Sequence, residues 1–288
     1  MSLKNKKMIT IKPEETPIPQ LHQYLIGSIG PRPICFASTI NAEGLPNLAP
    51  FSFFNIFSAN PPIVIFAPNN SGRDGTPKHT YLNVKEVAEV VINIVTMGMV
   101  EKMNIAAAPW EYGVSEFEKA GFTPIASELV RPFRVAESPV QLECKVLEVK
   151  EMGTGGGAGN LVICQVIRVH IDESVLNADG KIDQLKMNLV GRLGGNWYSK
   201  TDVNSLFELA QPMQRTIGYD ALPQAIKESK VLTANDIGKL SGIMEFPEKD
   251  EIESAWEQYG LGDVQNTAKK LIAEGQYKAA LALFLSIN

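Results

Sequence analysis

Hydrophobic and polar positions change rhythm twice along the chain. From Pro31 to about Ile171 apolar residues come in short runs rich in branched and aromatic types, separated by turn formers. PICFASTI (33–40) is followed by NAEG (41–44), a turn signal, and then by LPNLAPFSFFNIF (45–57), which reads as an antiparallel pair of strands. IVIFA (63–67) is a continuous apolar run and predicts a strand buried on both faces. HTYLNVKEVAE (79–89) predicts a helix and VVINIV (90–95) a buried strand. VEKMNIAAA (100–108) and SEFEKAGF (115–122) predict short helices on either side of PWEYG. Val140, Leu142, Cys144 and Val146 alternate with Gln141, Glu143 and Lys145, as in a strand with one wet face, and LVICQVIRVHI (161–171) is a longer strand suited to a closed barrel or a subunit interface.

Near residue 200 the strand rhythm stops. VNSLFELAQ (203–211), LPQAIKES (222–229), TANDIGKLSG (233–242) and EIESAWEQYG (251–260) predict helices, and NTAKKLIAEGQYKAALALFLS (266–286) predicts two helices around the turn EGQY. The pattern therefore divides into a mainly β domain over residues 1–200 and an α-helical C-terminal extension over 201–288.

Composition narrows the function classes. Of 288 residues 44% are hydrophobic, enough for a real core, and the formal charge of −5 leaves no general basic surface for nucleic acid or an acidic membrane face. Any cationic site has to be local. No apolar run is long enough for a signal peptide or a bilayer span, so the expected setting is cytoplasmic. Cys35, Cys144 and Cys164 lack the paired spacing of a zinc or dithiol site and read as buried free thiols; His22, His79 and His170 share no metal-ligand spacing.

Three stretches carry candidate chemistry. GTGGGAG (153–159) satisfies a dinucleotide-type glycine pattern, but a strand follows it where that motif opens a helix, so a flexible hairpin loop is the better reading. SGRDGTPKHT (71–80) sets Arg73 and Lys78 beside Ser71, Thr80 and two turn-forming glycines. Guanidinium, ammonium, hydroxyl and free backbone N–H groups in one loop suit a phosphate; a solvated surface turn is the competing reading. NLAPFSFFNIF (47–57) mixes Asn47, Ser52 and Asn55 with aromatic side chains, and Pro50 removes a ladder donor, so a bend or an edge is expected there. It can wall a planar ring or simply build an aromatic core. A heteroaromatic ring joined to a phosphate satisfies both stretches.

The ordered series GPRP (30–33), Ser38 and Thr39 in the next strand, EGLPNLAPFSFFN, NPP, SGRDGTPKHT with Asn83, and GRLGGNWY (191–198) resembles the flavin reductase-like, FMN-binding split-barrel family, over about residues 18–200. The resemblance implies a mainly β, Greek-key split β-barrel with short helices. It also implies a homodimer with FMN near the interface, NADH or NADPH as transient electron donor, and a monooxygenase or electron-transfer protein as possible partner. It places Arg73, Lys78 and Thr80, with Ser38 and Thr39, around the phosphate. The stretch Asn47, Ala49, Ser52, Phe53, Phe54 and Asn55 falls along the ring, and Arg32, Arg192 and Tyr198 near the flavin. No side chain is given a catalytic role, His79 included. The implied function is NAD(P)H-dependent reduction of flavin, with an FMN-binding electron carrier as the alternative.

Overall fold

The computed structural model describes residues 7–287. The chain divides into two compact units, Met1–Phe207 and Glu208–Asn288.

The first unit begins with helix α1 (Ile18–Ser28), which the sequence reading does not include and none of whose residues is buried. Strands β1 (Cys35–Ile40), β2 (Pro46–Phe51), β3 (Phe54–Ala59) and β4 (Pro62–Phe66) follow, then α2 (His79–Glu86), β5 (Glu89–Ile94), α3 (Val100–Ala106) and α4 (Glu116–Ala120). Two short strands, β6 (Pro124–Ile125) and β7 (Arg134–Val135), precede the long β8 (Val140–Glu151) and β9 (Asn160–Ile171). Helix α5 (Gln184–Met187) leads to the hairpin β10 (Val190–Arg192) and β11 (Tyr198–Lys200).

Seven strands form one antiparallel sheet in the order β2-β1-β5-β8-β9-β4-β3. The two edge strands of this series, β2 and β3, are separated in sequence only by Ser52 and Phe53. Three peptide links span at most about 11 Å, so the sheet has to curl until its edges meet at that corner. The segment 45–57 is thus two strands rather than one. Pro50 cannot donate to a ladder, and the chain turns two residues later.

The curl gives β1 two dry faces. Cys35 and Ala37 point into an interior cluster with Val64, Phe66, Val90, Ile92, Cys144, Val162 and Cys164. Phe36 points the other way, into a cluster with Leu48, Met103, Phe117 and Phe122 built partly by α3 and α4. Burying a side chain like Phe36 contributes about 1.5–3 kcal/mol. The three cysteines are free and buried, and burial raises all three thiols, Cys144 to about 12, which keeps them unreactive. Strand β4 differs from the reading of residues 63–67 as buried on both faces: Val64 and Phe66 are buried while Ile63 and Ile65 are half-covered.

One buried charge inside this unit is matched by the fold itself. Glu143 is fully buried on β8 and accepts hydrogen bonds from the Glu128 and Leu129 amides at 2.9 and 2.7 Å, with His170 Nε2 at 2.7 Å. Burial opposes its ionisation, but those amides and the imidazole outweigh it and hold the carboxyl below its usual range.

The second unit holds α6 (Gln224–Lys227), α7 (Ala234–Ser241), α8 (Lys249–Tyr259), α9 (Val264–Ala273) and α10 (Tyr277–Leu285) around Leu222, Ile226, Leu240, Leu271, Leu281 and Phe284. Capping boxes start α7 at Thr233 and α8 at Glu248. The helix expected over residues 203–211 does not form. The Asp202 carboxylate accepts from the Asn204 and Ser205 amides at 3.0 and 3.1 Å, fixing a turn instead, and Phe207 and Leu209 remain exposed.

Candidate functional site

A cleft of about 1000 Å³ opens beside the corner between β2 and β3. Its floor is β2 and the corner, from Asn47 to Phe53. One side is the loop 69–80, another is α1, and a third is the segment Ala106–Trp110 that follows α3.

The loop side is built by turn chemistry. Ser71 N donates to Thr76 O at 2.8 Å and Gly75 N to Ser71 O at 2.9 Å, with Gly75 at φ +75°. Asp74 accepts from the Thr76 amide at 3.0 Å and from the Thr76 hydroxyl, which lowers its carboxyl to about 2. That acid is therefore spent on the turn and leaves Arg73 and Lys78 as the uncommitted charges. Lys78 is the N-cap residue of α2, and no side chain caps that helix. Lys78, His79 and Thr80 line the cleft, so the positive end of the helix lies in the same wall as the two cations.

Glycines 153–159 connect β8 to β9 and support the loop from behind. Asn70 N donates to Ala158 O at 2.9 Å and Gly157 N to Asn70 O at 3.1 Å. The approach is so close that a Cβ on Gly156 would lie 3.1 Å from Ser71 O and 3.3 Å from Gly72 O. The segment is a hairpin loop leading into a strand, and its glycine content answers to this backbone-on-backbone packing.

A buried chain of amides and hydroxyls sets the polar floor. Asn47 Nδ2 donates to Thr80 Oγ1 at 2.9 Å and to Thr39 Oγ1 at 3.4 Å. Asn83 Nδ2 donates to the same Thr39 hydroxyl at 3.2 Å, and Asn83 Oδ1 accepts from the Tyr112 hydroxyl at 3.3 Å. With both Asn47 amide protons engaged, its Oδ1 is the acceptor available to a ligand, and Thr80, which accepts from Asn47, keeps its own proton to donate. Glu116, also in the cleft wall, accepts from the Leu48 amide at 2.8 Å; burial raises its carboxyl despite that bond. Burial and the Lys78 charge lower His79, favouring its neutral imidazole.

Of the residues singled out by sequence, Arg32, Asn47, Ala49, Ser52, Phe53, Arg73, Lys78, Thr80 and Arg192 line this one cleft. The others lie elsewhere. Ser38 and Thr39 are wholly buried in β1, Ser38 Oγ without a hydrogen-bond partner and Thr39 one step behind Asn47. Phe54 packs on the interior cluster, and Asn55, exposed, accepts from the Ile56 amide. Tyr198 lies under the Arg192 guanidinium, 4.5 Å from its ring centre. Arg32, though in the wall, is engaged: it donates to Ile26 O at 2.8 Å, Leu193 O at 3.1 Å and Ile29 O, and Ser52 Oγ is 3.4 Å away. Sequence reasoning missed His22, Ile26, Trp110 and Glu116 because they come from three separate segments, none of which carries a binding pattern of its own; the acid in SEFEKAGF, inside an otherwise apolar packing face, is the one available signal.

Comparison with known proteins decides the family. A family model described as a flavin reductase like domain matches residues 28–186. The chain belongs to this family. The chain is 36% identical over 204 residues to the uncharacterized protein BH2278 of Halalkalibacterium halodurans, covering 70% of this chain and 96% of that protein. Nitrilotriacetate monooxygenase component B from Bacillus cereus is 33% identical with a TM-score of 0.66, covering 71% of this chain and all of the other. The 2-nitrobenzoate 2-nitroreductase NbaA of Pseudomonas fluorescens is 25% identical with a TM-score of 0.61, covering 73% of this chain and all of the other. The flavin reductase-like domain thus holds the whole cleft except the Ile18–Ile26 face and the Arg192–Leu193 rim, which flank the matched segment.

Proposed function

We propose that the protein binds FMN in this cleft and is an NAD(P)H-dependent flavin reductase or flavoprotein oxidoreductase. The observation that carries the reading is the meeting of Arg73, Lys78, the uncapped start of α2 and the Thr80 hydroxyl at one end of a single cleft. A phosphate monoester fits that donor set: Arg73 can bind two of its oxygens, Lys78 adds a compact charge, and backbone amides complete the shell. Each charge-assisted hydrogen bond contributes about 1.5–3 kcal/mol. The floor from Asn47 to Phe53 would take the ring, with Asn47 Oδ1 as acceptor and Phe53 as an apolar wall. When bound, the flavin supplies the hydride chemistry, and the protein supplies binding, orientation and electrostatics. NADH or NADPH would enter from the open side as a transient donor.

The curled seven-stranded sheet agrees with a Greek-key split β-barrel, and we propose a homodimer with the cleft near the interface. A monooxygenase or another electron-accepting protein is the proposed partner, in keeping with a relative that is component B of a monooxygenase.

The test is spectroscopic. Protein purified and incubated with FMN is expected to turn yellow, and anaerobic NADH or NADPH to bleach the flavin absorbance within seconds. Persistent colour that only dithionite removes would make the protein an electron carrier. A colourless protein after incubation with FMN would overturn the reading.

A further inference from the structure

The cleft carries positive charge at two separate places, and a single FMN phosphate accounts for one of them. The first is the 71–80 loop. The second is the rim made where the chain segments Gly30–Pro33 and Val190–Leu193 run side by side, joined by Arg32 N to Arg192 O at 2.9 Å and Arg192 N to Arg32 O at 2.8 Å. The contact is tight enough that a Cβ on Gly191 would stand 2.6 Å from Pro31 Cβ.

Helix α1 measures the distance between the two. Near its start Ile18 Cγ2 lies 4.0 Å from where a Cβ on Gly157 would be, in the loop that supports residues 70–72. Near its end the Gly27 backbone lies against Gly194, and Arg32 binds Ile26 O. The eight helical steps from Ile18 to Ile26 rise about 12 Å. The arginine rim therefore stands at the far end of the cleft from the loop.

The acids that line the cleft, Asp74 and Glu116, are committed to Thr76 and to the Leu48 amide. Arg32 is spent on carbonyl oxygens. The Arg192 guanidinium donates once, to Trp197 O at 3.3 Å, and stacks on Tyr198; among the described residues it has no acidic partner within salt-bridge distance. Two guanidiniums are thus held side by side without a counter-ion, and burial, with the repulsion from Arg192 added, lowers Arg32. Beside them Phe53 presents a ring, with Arg32 5.8 Å from its centre and His22 edge-on at 6.3 Å. A cleft of about 1000 Å³ is at the upper end for a single small ligand, with room for a second.

We propose that the Arg192 rim is a second anion site that receives, while FMN occupies the loop end, the oxyanion of a planar ring-bearing substrate. Arg192 would take the oxyanion in a bidentate contact and Phe53 would bear on the ring. This rests on the FMN reading and deepens it by giving the second reactant a place and a charge. Two sources share that chemistry: an aromatic carboxylate, or the phosphates of a nicotinamide dinucleotide.

Calorimetric titration of the flavin-free and the FMN-loaded protein with 2-nitrobenzoate and, separately, with NADP⁺ tests it. Wild type is expected to bind one of the two in both forms. Arg192→Gln is expected to weaken that binding at least tenfold while changing the dissociation constant for FMN less than twofold, and Lys78→Gln is expected to do the reverse. Arg192→Lys, which keeps a charge but not the fork, should fall between, and the unfolding midpoints of all variants identify any that fail to fold. The ligand retained by wild type distinguishes carboxylate from dinucleotide. No binding of either probe, equal binding by Arg192→Gln, or loss of FMN with Arg192→Gln would each overturn the proposal. If wild type fails to bind FMN, the functional reading is lost, and the flavin-free titrations still decide whether the rim binds an anion.

Discussion

Two charged clusters of this chain differ in how much of their hydrogen-bonding capacity the fold has used. Around Glu143 the fold supplies the partners: two amides and an imidazole meet one carboxylate with no exposed surface, and Arg134 Nε stands 4.0 Å away. Around residues 71–80 the acid is tied to its own turn, while Arg73 and Lys78 line an open cleft beside a helix start that no side chain caps. A charge already matched inside the protein holds the protein together, whereas a charge left unmatched in a concave place is available to something else. The same contrast separates Arg32 from Arg73 within one cleft, so residue type alone does not assign a role.

The comparison breaks most visibly at the buried end. Glu143→Ala strands two amides and removes the partner of His170, and is expected to cost about 3–5 kcal/mol of stability, read by urea unfolding of the flavin-free protein. A loss below 1 kcal/mol would show that water replaces the carboxylate. Arg73→Ala with Lys78→Ala should do the opposite. FMN binding is expected to weaken roughly a hundredfold or more, about 3 kcal/mol, with the flavin-free unfolding midpoint nearly unchanged. Equal loss of flavin-free stability would make these side chains structural.

Acidity sharpens the contrast. Glu143 is depressed in the folded state, so its contribution is present above the ordinary glutamate value of 4.5 and is lost as pH falls through its lower folded value. Glu116 is raised, so its contribution is present below 4.5 and is lost as pH rises through its higher folded value. Glu116→Gln keeps an acceptor for the Leu48 amide and removes the buried charge. It is expected to match wild type near pH 4 and to gain a few tenths to about 1 kcal/mol at pH 8; a constant difference between the two pH values would contradict the raised carboxyl. The smallest effect is expected at Ser38. Its hydroxyl is buried without a partner, so Ser38→Ala should be neutral or stabilising by less than about 1 kcal/mol and leave FMN affinity unchanged. A tenfold loss of FMN affinity would return Ser38 to the binding site.

Much of the architecture is written in local patterns. The turn at Asn41 forms because Asn41 Oδ1 accepts from Leu45 N at 2.8 Å and Gly44 takes φ +93°, and both residues announce it. The cationic loop announces itself in the same way, through Gly72, Gly75 and its charges. The corner at Ser52 and Phe53 is less legible, because the phenylalanines on either side continue the apolar run across it; only Pro50 hints at a bend. Helix α1 escapes because it buries no side chain, and residues 203–211 mislead because apolar spacing does not reveal the Asp202 turn that competes with a helix. The cleft is harder still. Its walls come from α1, β2, the loop, the segment after α3 and β10, and no periodicity in one segment reports what a distant one will face. Ser38 and Asn47 illustrate the limit: one hydroxyl and one amide on paired strands, one sealed in the core and the other on the cleft floor.

The Gly156 contact makes the grip on a ligand hostage to a residue that never touches it. Even a methyl group at that position would press on the Ser71 and Gly72 carbonyls, and the loop that carries Arg73 would have to give by a few tenths of an ångström. A mutational survey of this protein should therefore find affinity defects in the β8–β9 connection that no inspection of the cleft walls alone would anticipate.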